Sequence, residues 1–263
     1  MIRRRPALAL AGIALLPVLL AACETGLKER SETRQGASVM RYLFPEDATG
    51  AQMAPADLAT LRVPLRIGVA FVPGDGLALT DVQQDQLLGR VVRAFERYPF
   101  VGELKPIPAS YLKAAGGFAD LDRVAALFGI DVMALLSYDQ VQFTEKTRSS
   151  FWYWTLVGAY VAEGDQYDVH TMIEATVVDV RSRRLLFRGS GTSVQRGGAT
   201  MSNVAETTRA ARSGGFEQAT ERLIPSLQAS LEVFRTRARA GTEGGVKLQL
   251  PPGYDPAASA PRR

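Results

Sequence analysis

The chain has 263 residues, 46% hydrophobic and 22% charged, a globular balance that excludes a disordered or fibrous protein. Its formal net charge is +4, but Arg3, Arg4 and Arg5 stand at the N-terminus, and taking three from +4 leaves the rest near +1, without the concentrated basic surface that nucleic-acid binding needs. A single cysteine, Cys23, and a single histidine, His170, exclude a disulfide framework and a Cys/His metal cluster.

The three arginines form a positive n-region, and residues 7–22 follow without a charge. That pattern reads as a secretory signal, and the run is shorter than the roughly 20 apolar residues of a comfortable membrane span. It ends in Leu20-Ala21-Ala22-Cys23, which resembles the lipobox of bacterial lipoproteins. Small side chains let the strand enter a peptidase cleft, and the Cys23 thiol accepts the diacylglycerol. Cleavage before Cys23 and lipid on its sulfur are therefore expected. One acyl chain anchors weakly and two or more anchor stably. Asp after the cysteine is the usual inner-membrane retention signal in such lipoproteins. Glu24 stands there instead, which implies a lipid-anchored, periplasm-facing place on the outer membrane.

Residues 24–60 are mostly polar, with Gly36, Pro45, Gly50 and Pro55 scattered through them. They read as a flexible tether with one short helix near 38–44. A globular region is expected over 61–238. Leu61, Val63, Leu65, Ile67, Val69 and Phe71 alternate with period two and predict a first strand. Thr80 and Gln83 form a probable capping box, followed by a helix with Leu87, Leu88, Val91, Val92 and Phe95 on one side and closed by Pro99. A second strand is expected over 101–107. A helix over 120–128 turns Val124, Leu127 and Phe128 inward and stops at Gly129. Residues 130–136 are apolar except Asp131, the pattern of a strand buried on both faces.

Residues 151–161 hold both tryptophans of the chain. Phe151, Trp152, Tyr153, Trp154 and Tyr160 are compatible with a covered core strand or loop. They are equally compatible with an exposed patch that meets a partner or the membrane interface. Val169, Thr171, Ile173, Ala175 and Val177 share one face of a hairpin strand, Arg181-Ser182-Arg183-Arg184 makes its turn, and the return begins at Leu185. Gly189-Ser190-Gly191 and Gly197-Gly198 read as loosened chain after it. Phe216, Leu223, Leu227, Leu231 and Phe234 mark a long helix that Pro225 should kink. From about 239 the chain is rich in Gly, Pro and Ala and reads as a disordered tail. The fold expected is α/β with α+β character: a single three-layer-like domain with a mixed sheet, a β-α-β-α-β start, an antiparallel hairpin and a long C-terminal helix.

No catalytic set emerges. With Cys23 used for lipid, no Cys-His dyad can be built. His170 sits mid-strand on the face of Met172 and Glu174, the place of a rim histidine paired with Glu174. Asp131 and Asp139 would stand ~26 Å apart on an extended strand at ~3.3 Å per residue, too far for acid/base work. Gly189-Ser190-Gly191 and Gly74-Asp75-Gly76 match neither a phosphate loop nor a dinucleotide fingerprint. No cofactor or metal is implied.

The stretches 65–73, 117–122, 137–143 (Ser137-Tyr138-Asp139-Gln140-Val141-Gln142-Phe143) and 153–161 (Tyr153 through Val161) resemble the rhombotarget lipoproteins of proteobacteria. That resemblance implies, for some members, sorting by a rhomboid-type protease through a C-terminal Gly-Gly, apolar helix and basic tail. Here Gly244-Gly245 is followed by 246–256, which is short and broken by prolines, so the sorting element is not matched. The family supplies no catalytic residues. By element order alone, the domain is also similar to curli-secretion-channel-type lipoproteins and the TolB amino-terminal domain, an analogy of fold and not of function. The expected role is a membrane-anchored, non-enzymatic interaction or assembly module with an envelope protein partner. The alternatives are a homo-oligomeric secretion or pore subunit, then an enzyme of unrecognised type. Cys23→Ala is expected to abolish palmitate labelling and leave the leader uncut; unchanged labelling and gel mobility would contradict the lipobox assignment.

Overall fold

Two apolar strands pairing in parallel set the architecture. The computed structural model describes residues 30–45, 59–74, 79–146, 165–199, 203–240 and 246–253. In chain order the elements are β1 (Arg30–Gly36), α1 (Val39–Leu43), β2 (Ala59–Arg62), β3 (Leu65–Phe71), α2 (Asp81–Phe95), β4 (Val101–Pro106), a 3-10 turn (Ala109–Tyr111), α3 (Gly117–Phe128), β5 (Val132–Lys146), β6 (Asp165–Asp179), β7 (Arg184–Ala199), α4 (Val204–Arg239) and β8 (Val246–Gln249).

β3 pairs in parallel with β5, Ile67 beside Val132 and Phe71 beside Leu136. It also pairs in parallel with β4 on its other side. Parallel neighbours need crossovers, which α2 and α3 supply. The six-stranded sheet runs β4-β3-β5-β6-β7, with β1 also paired to β5. β6 runs antiparallel to β5. Val180 N, just past β6, bonds to Asp131 O, just before β5, while Gln140 further along β5 meets Thr171 further back in β6. A tight turn makes β6 and β7 a hairpin: Asp179 Oδ2 accepts from Ser182 N at 3.0 Å and from the Ser182 hydroxyl, a side-chain substitute for a backbone turn.

The predicted α2 cap is present. Thr80 Oγ1 accepts from Gln83 N at 3.3 Å, and Gln83 Oε1 accepts from Thr80 N at 3.1 Å. α3 stops at Gly129, whose φ of 66° is open to glycine at little cost.

Contacts divide the chain into two compact units, the larger built from Thr33–Gln142, Val169–Gln195 and Ala210–Arg263. Within it the alternation of β5 sorts the core into two layers. Val132, Ala134, Leu136 and Tyr138 face one cluster with Val69, Ile173, Ala175 and Val177 from the sheet, Leu87, Val91 and Phe95 from α2, and Phe216, Leu223, Leu227, Leu231 and Phe234 from α4. Met133 and Leu135 face the other, with Ala70, Tyr42 and Leu43 from α1, and Phe118, Leu121 and Val124 from α3. Helices thus cover both faces of the sheet, the mixed α/β arrangement expected. In the smaller unit, whose described part is residues 30–32, 143–146, 165–168, 196–199 and 203–209, Arg196 lies 3.4 Å from Asp168.

Several expectations are corrected. The run 61–71 is two strands, because Pro64 has no N–H to continue a ladder; β2 pairs instead with β8, Ala59 beside Val246. The stretch read as tether therefore contains β1, α1 and the start of β2, and the stretch read as disordered tail contributes β8. The short helix expected near 38–44 is α1, capped by Ser38. Leu127 is 61% exposed; Phe118, Leu121 and Val124 carry the buried stripe of α3. α4 runs through Pro225 as one helix.

The glycines 189, 191, 197 and 198 do not loosen the chain; they lie inside β7. α4 crosses β7 so closely that a Cβ on Gly191 would stand 1.9 Å from the Ala219 carbonyl oxygen, and one on Gly189 2.8 Å from Leu227 N. Neither backbone can retreat without lifting the helix. Gly191→Ala should therefore cost about 3 kcal/mol, the upper end of overpacking. Gly214→Ala, in α4 with nothing within 4 Å of the added carbon, should be neutral or stabilise by about 0.5–1 kcal/mol. Equal denaturation midpoints for the two variants would contradict this helix placement.

Candidate functional site

Cys23 and Leu20, Ala21 and Ala22 lie outside the described residues, as do Phe151, Trp152, Tyr153, Trp154 and Tyr160. The structure does place the remaining residues considered for chemistry. His170 is half-buried on β6, and Glu174 on the same face lies 3.7 Å from Arg188. Asp131 and Asp139 form no pair. Asp131 accepts from Arg66 Nε and Nη2, both at 2.9 Å, and Asp139 from Arg34 Nη2 at 2.7 Å. Each carboxylate holds its own guanidinium, so neither stands ready as a base. Among the described residues no group of three His, Cys, Asp or Glu side chains could hold a metal, and no helix is long and apolar enough to cross a membrane.

Sequence reasoning missed a buried carboxylate, Asp120, because it reads as a polar residue of the first turn of α3. Its Oδ1 accepts from Arg123 Nη2 at 2.6 Å and Nε at 3.2 Å. Its Oδ2 accepts from Lys113 N at 2.8 Å and the Tyr42 hydroxyl at 3.0 Å. Burial pushes this carboxyl up, but the bonds from Arg123, Lys113 and Tyr42 and the charge of Arg123 together hold it below its ordinary value. Burial, then the charge and hydrogen bond of Asp120, push the Tyr42 hydroxyl far up. With every partner in place, the cluster fastens α1 to α3 and leaves no group to react.

A groove of about 420 Å³ brings Arg62, Arg66, Arg181, Asp122, Asp131 and Asp179 together. It lies by the starts of the parallel strands β3 and β5, opposite to the carboxyl ends where open α/β sheets bind ligands. Arg66 pairs with Asp131, Arg62 bonds Gln249 Oε1 at 3.1 Å and Asp179 holds its turn, so these charges serve the fold.

A second pocket, half open and apolar, has a volume of about 130 Å³. Val69, Val132, Ala134, Ala175 and Val177 form its floor, Val91 and Phe95 of α2 one wall, and Leu227, Leu231, Phe234 and Ala238 of α4 the other. Leu61 from β2 and Leu248 from β8 also line it. The void has a cause in the sequence: the adjacent central strands β5 and β6 carry alanine, at 134 and 175, among larger residues. Arg235 and Arg239 are the charged residues on the lining. The sequence analysis does not single out either arginine, and the fold shows what they border. The lining supplies no nucleophile, carboxylate or imidazole. It can desolvate and hold an apolar guest.

A carboxyl held low in the folded state stabilises the protein above its unfolded pKa of about 3.9, and that contribution is lost as pH falls through the lower folded value. Asp120→Asn should cost about 2 kcal/mol at pH 7, the scale of charge-assisted hydrogen bonds, and should shrink the loss of stability between pH 7 and pH 3. Urea denaturation at both pH values checks this; an identical acid-induced loss in variant and wild type would contradict it.

No protein-family model matches the chain, and no curated protein matches it. The resemblance to rhombotarget lipoproteins therefore rests on the residues quoted for it. Among solved structures, the crystal structure of lipoprotein GNA1162 from Neisseria meningitidis is 14% identical, with 59% of this chain and 96% of that chain covered and a TM-score of 0.21. At that score the likeness carries no argument.

Proposed function

We propose that this chain is a lipid-anchored lipoprotein of the bacterial envelope that works as a non-enzymatic binding module, facing the periplasm from the outer membrane. The anchor reading is supported by Leu20-Ala21-Ala22-Cys23 and the outer-membrane reading by Glu24.

The binding reading is carried by one observation, the apolar cavity beneath α4. The pocket is half open, with a volume of about 130 Å³, and a larger side chain at Ala134 or Ala175 would fill part of it. Apolar walls of this kind can take small apolar guests, as an engineered Leu/Ile/Phe-lined cavity of ~150 Å³ does with benzene. The guest's own transfer out of water supplies the affinity. Arginine cannot act as a base, so the lining favours holding over catalysis.

Benzene near saturation should therefore raise the melting temperature of the mature protein by about 2–4 °C, the shift that ~1 kcal/mol of binding gives a domain of this size. Ala134→Val and Ala175→Val should each weaken the effect by filling the void. A wild-type melting temperature unmoved by benzene would overturn the binding reading.

A further inference from the structure

Lipid on Cys23 and the register of β1 together decide which end of the sheet meets the membrane, an inference that rests on the lipid-anchor reading above. The chain is paired from Arg30 onward, because β1 (Arg30–Gly36) adds to β5. Residues 24–29 alone then separate Cys23 from the sheet. At ~3.6 Å per residue at most, that leash holds the start of β1 within about 25 Å of the lipid. A free tether over 24–60 would let the domain turn either end to the bilayer, and a leash this short does not.

The direction of β1 selects the end. Ala37 N donates to Tyr138 O at 2.9 Å, and a Cβ on Gly36 would stand 3.1 Å from Asp139 Cα. Numbers fall along β1 as they rise along β5, so the two strands are antiparallel and Thr33 falls opposite Gln142. The chain therefore enters the larger unit at the Gln142 end of β5. The other end is marked by Val180 N, which donates to Asp131 O at 3.2 Å, and by the turn from Asp179 to Arg184. From that turn β7 runs back toward the entry end, and at ~3.3 Å per residue its Leu185 and Val194 stand ~30 Å apart. β5 ends and β6 begins on the entry side. The sequence between them holds both tryptophans, residues that favour the water–membrane interface. We propose that the anchored domain meets the phospholipid surface with the end of its sheet at Thr33 and Val194, and holds the Asp179–Arg184 turn away from it. The half-open apolar pocket, lined by Val132, Val177 and Leu186 near that turn, then takes its guest from the periplasm rather than from the bilayer that carries the anchor.

Energy transfer to the membrane tests this. Full-length lipidated protein takes a donor fluorophore at Val194→Cys or Leu185→Cys, since lipid occupies the sulfur of Cys23. The two sites are 45% and 51% exposed, so the substitutions should leave the fold intact. Each protein is added to preformed vesicles of phosphatidylethanolamine and phosphatidylglycerol that contain an acceptor lipid. Transfer from Val194→Cys should exceed that from Leu185→Cys severalfold. A Gly/Ser insertion of about 20 residues after Glu24 should shrink the difference, because a flexible coil no longer fixes the point of entry. Equal transfer from the two positions, or greater transfer from Leu185→Cys, would overturn the orientation while leaving the anchor in place. Failure of the unsubstituted protein to float with the vesicles would overturn the anchor and the orientation together. A difference that survives the insertion would overturn the leash as its cause.

Discussion

The close crossing of α4 over β7 is the contact on which the rest of the larger unit depends. Gly189 and Gly191 present bare backbone, and the helix lies directly on it, its Ala219 carbonyl filling the space a side chain at 191 would need. That contact sets the height of the helix above the sheet. Further along, Phe234 meets Phe187 of β7 at 5.5 Å between ring centroids, and Leu223, Leu227 and Leu231 reach over the central strands. The helix cannot sink toward Ala134 and Ala175 without driving its backbone into β7. The cavity persists because its roof is pinned at the edge while its floor is built from small residues.

The two halves of α4 meet different chemistry. Near its N-terminal half the sheet is polar: Gln140 Nε2 donates to Thr171 Oγ1 at 2.9 Å and to the Arg212 carbonyl at 3.4 Å, and Ser193 donates to Gln218 at 2.6 Å. Buried polar groups of this kind are costly unless paired in one register, so they fix how the helix is placed along the strands. Toward its C-terminal end the same helix turns Leu227, Leu231 and Phe234 onto the apolar pocket, while Ser226 Oγ accepts from Ser190 N at 3.1 Å. A guest there displaces no hydrogen bond from this seam.

Much of this fold is legible in the sequence. The apolar run of β5, the alternation of β6, the Thr80–Gln83 cap and the 216–234 stripe all appear in the structure. Local pattern succeeds there because burial repeats at the period of the element. It fails at β2 and β8, which are four residues each and pair across most of the chain; nothing within either segment encodes the other. It fails for Leu127, since a short apolar helix can turn any of several faces inward. It misreads Gly189 and Gly191 because a glycine needed for close approach looks the same as one in a loop. The cavity is illegible for a related reason. An apolar residue scores as core whether it fills space or borders it, and only the positions of Ala134 and Ala175 beneath α4 distinguish the two. Cys23 and the aromatic stretch at 151–161 lie outside the described residues.

The proposed function has two separate supports: the anchor is read from Leu20-Ala21-Ala22-Cys23, and the binding role from the apolar pocket lined by the sheet and α4. Nuclear Overhauser contacts from a small apolar guest to assigned methyl groups test the binding role most directly. The account predicts cross-peaks from benzene to the methyls of Val69, Ala134, Val177 and Leu227. Cross-peaks confined to surface side chains such as Leu185 and Val194, which are 51% and 45% exposed, would contradict it.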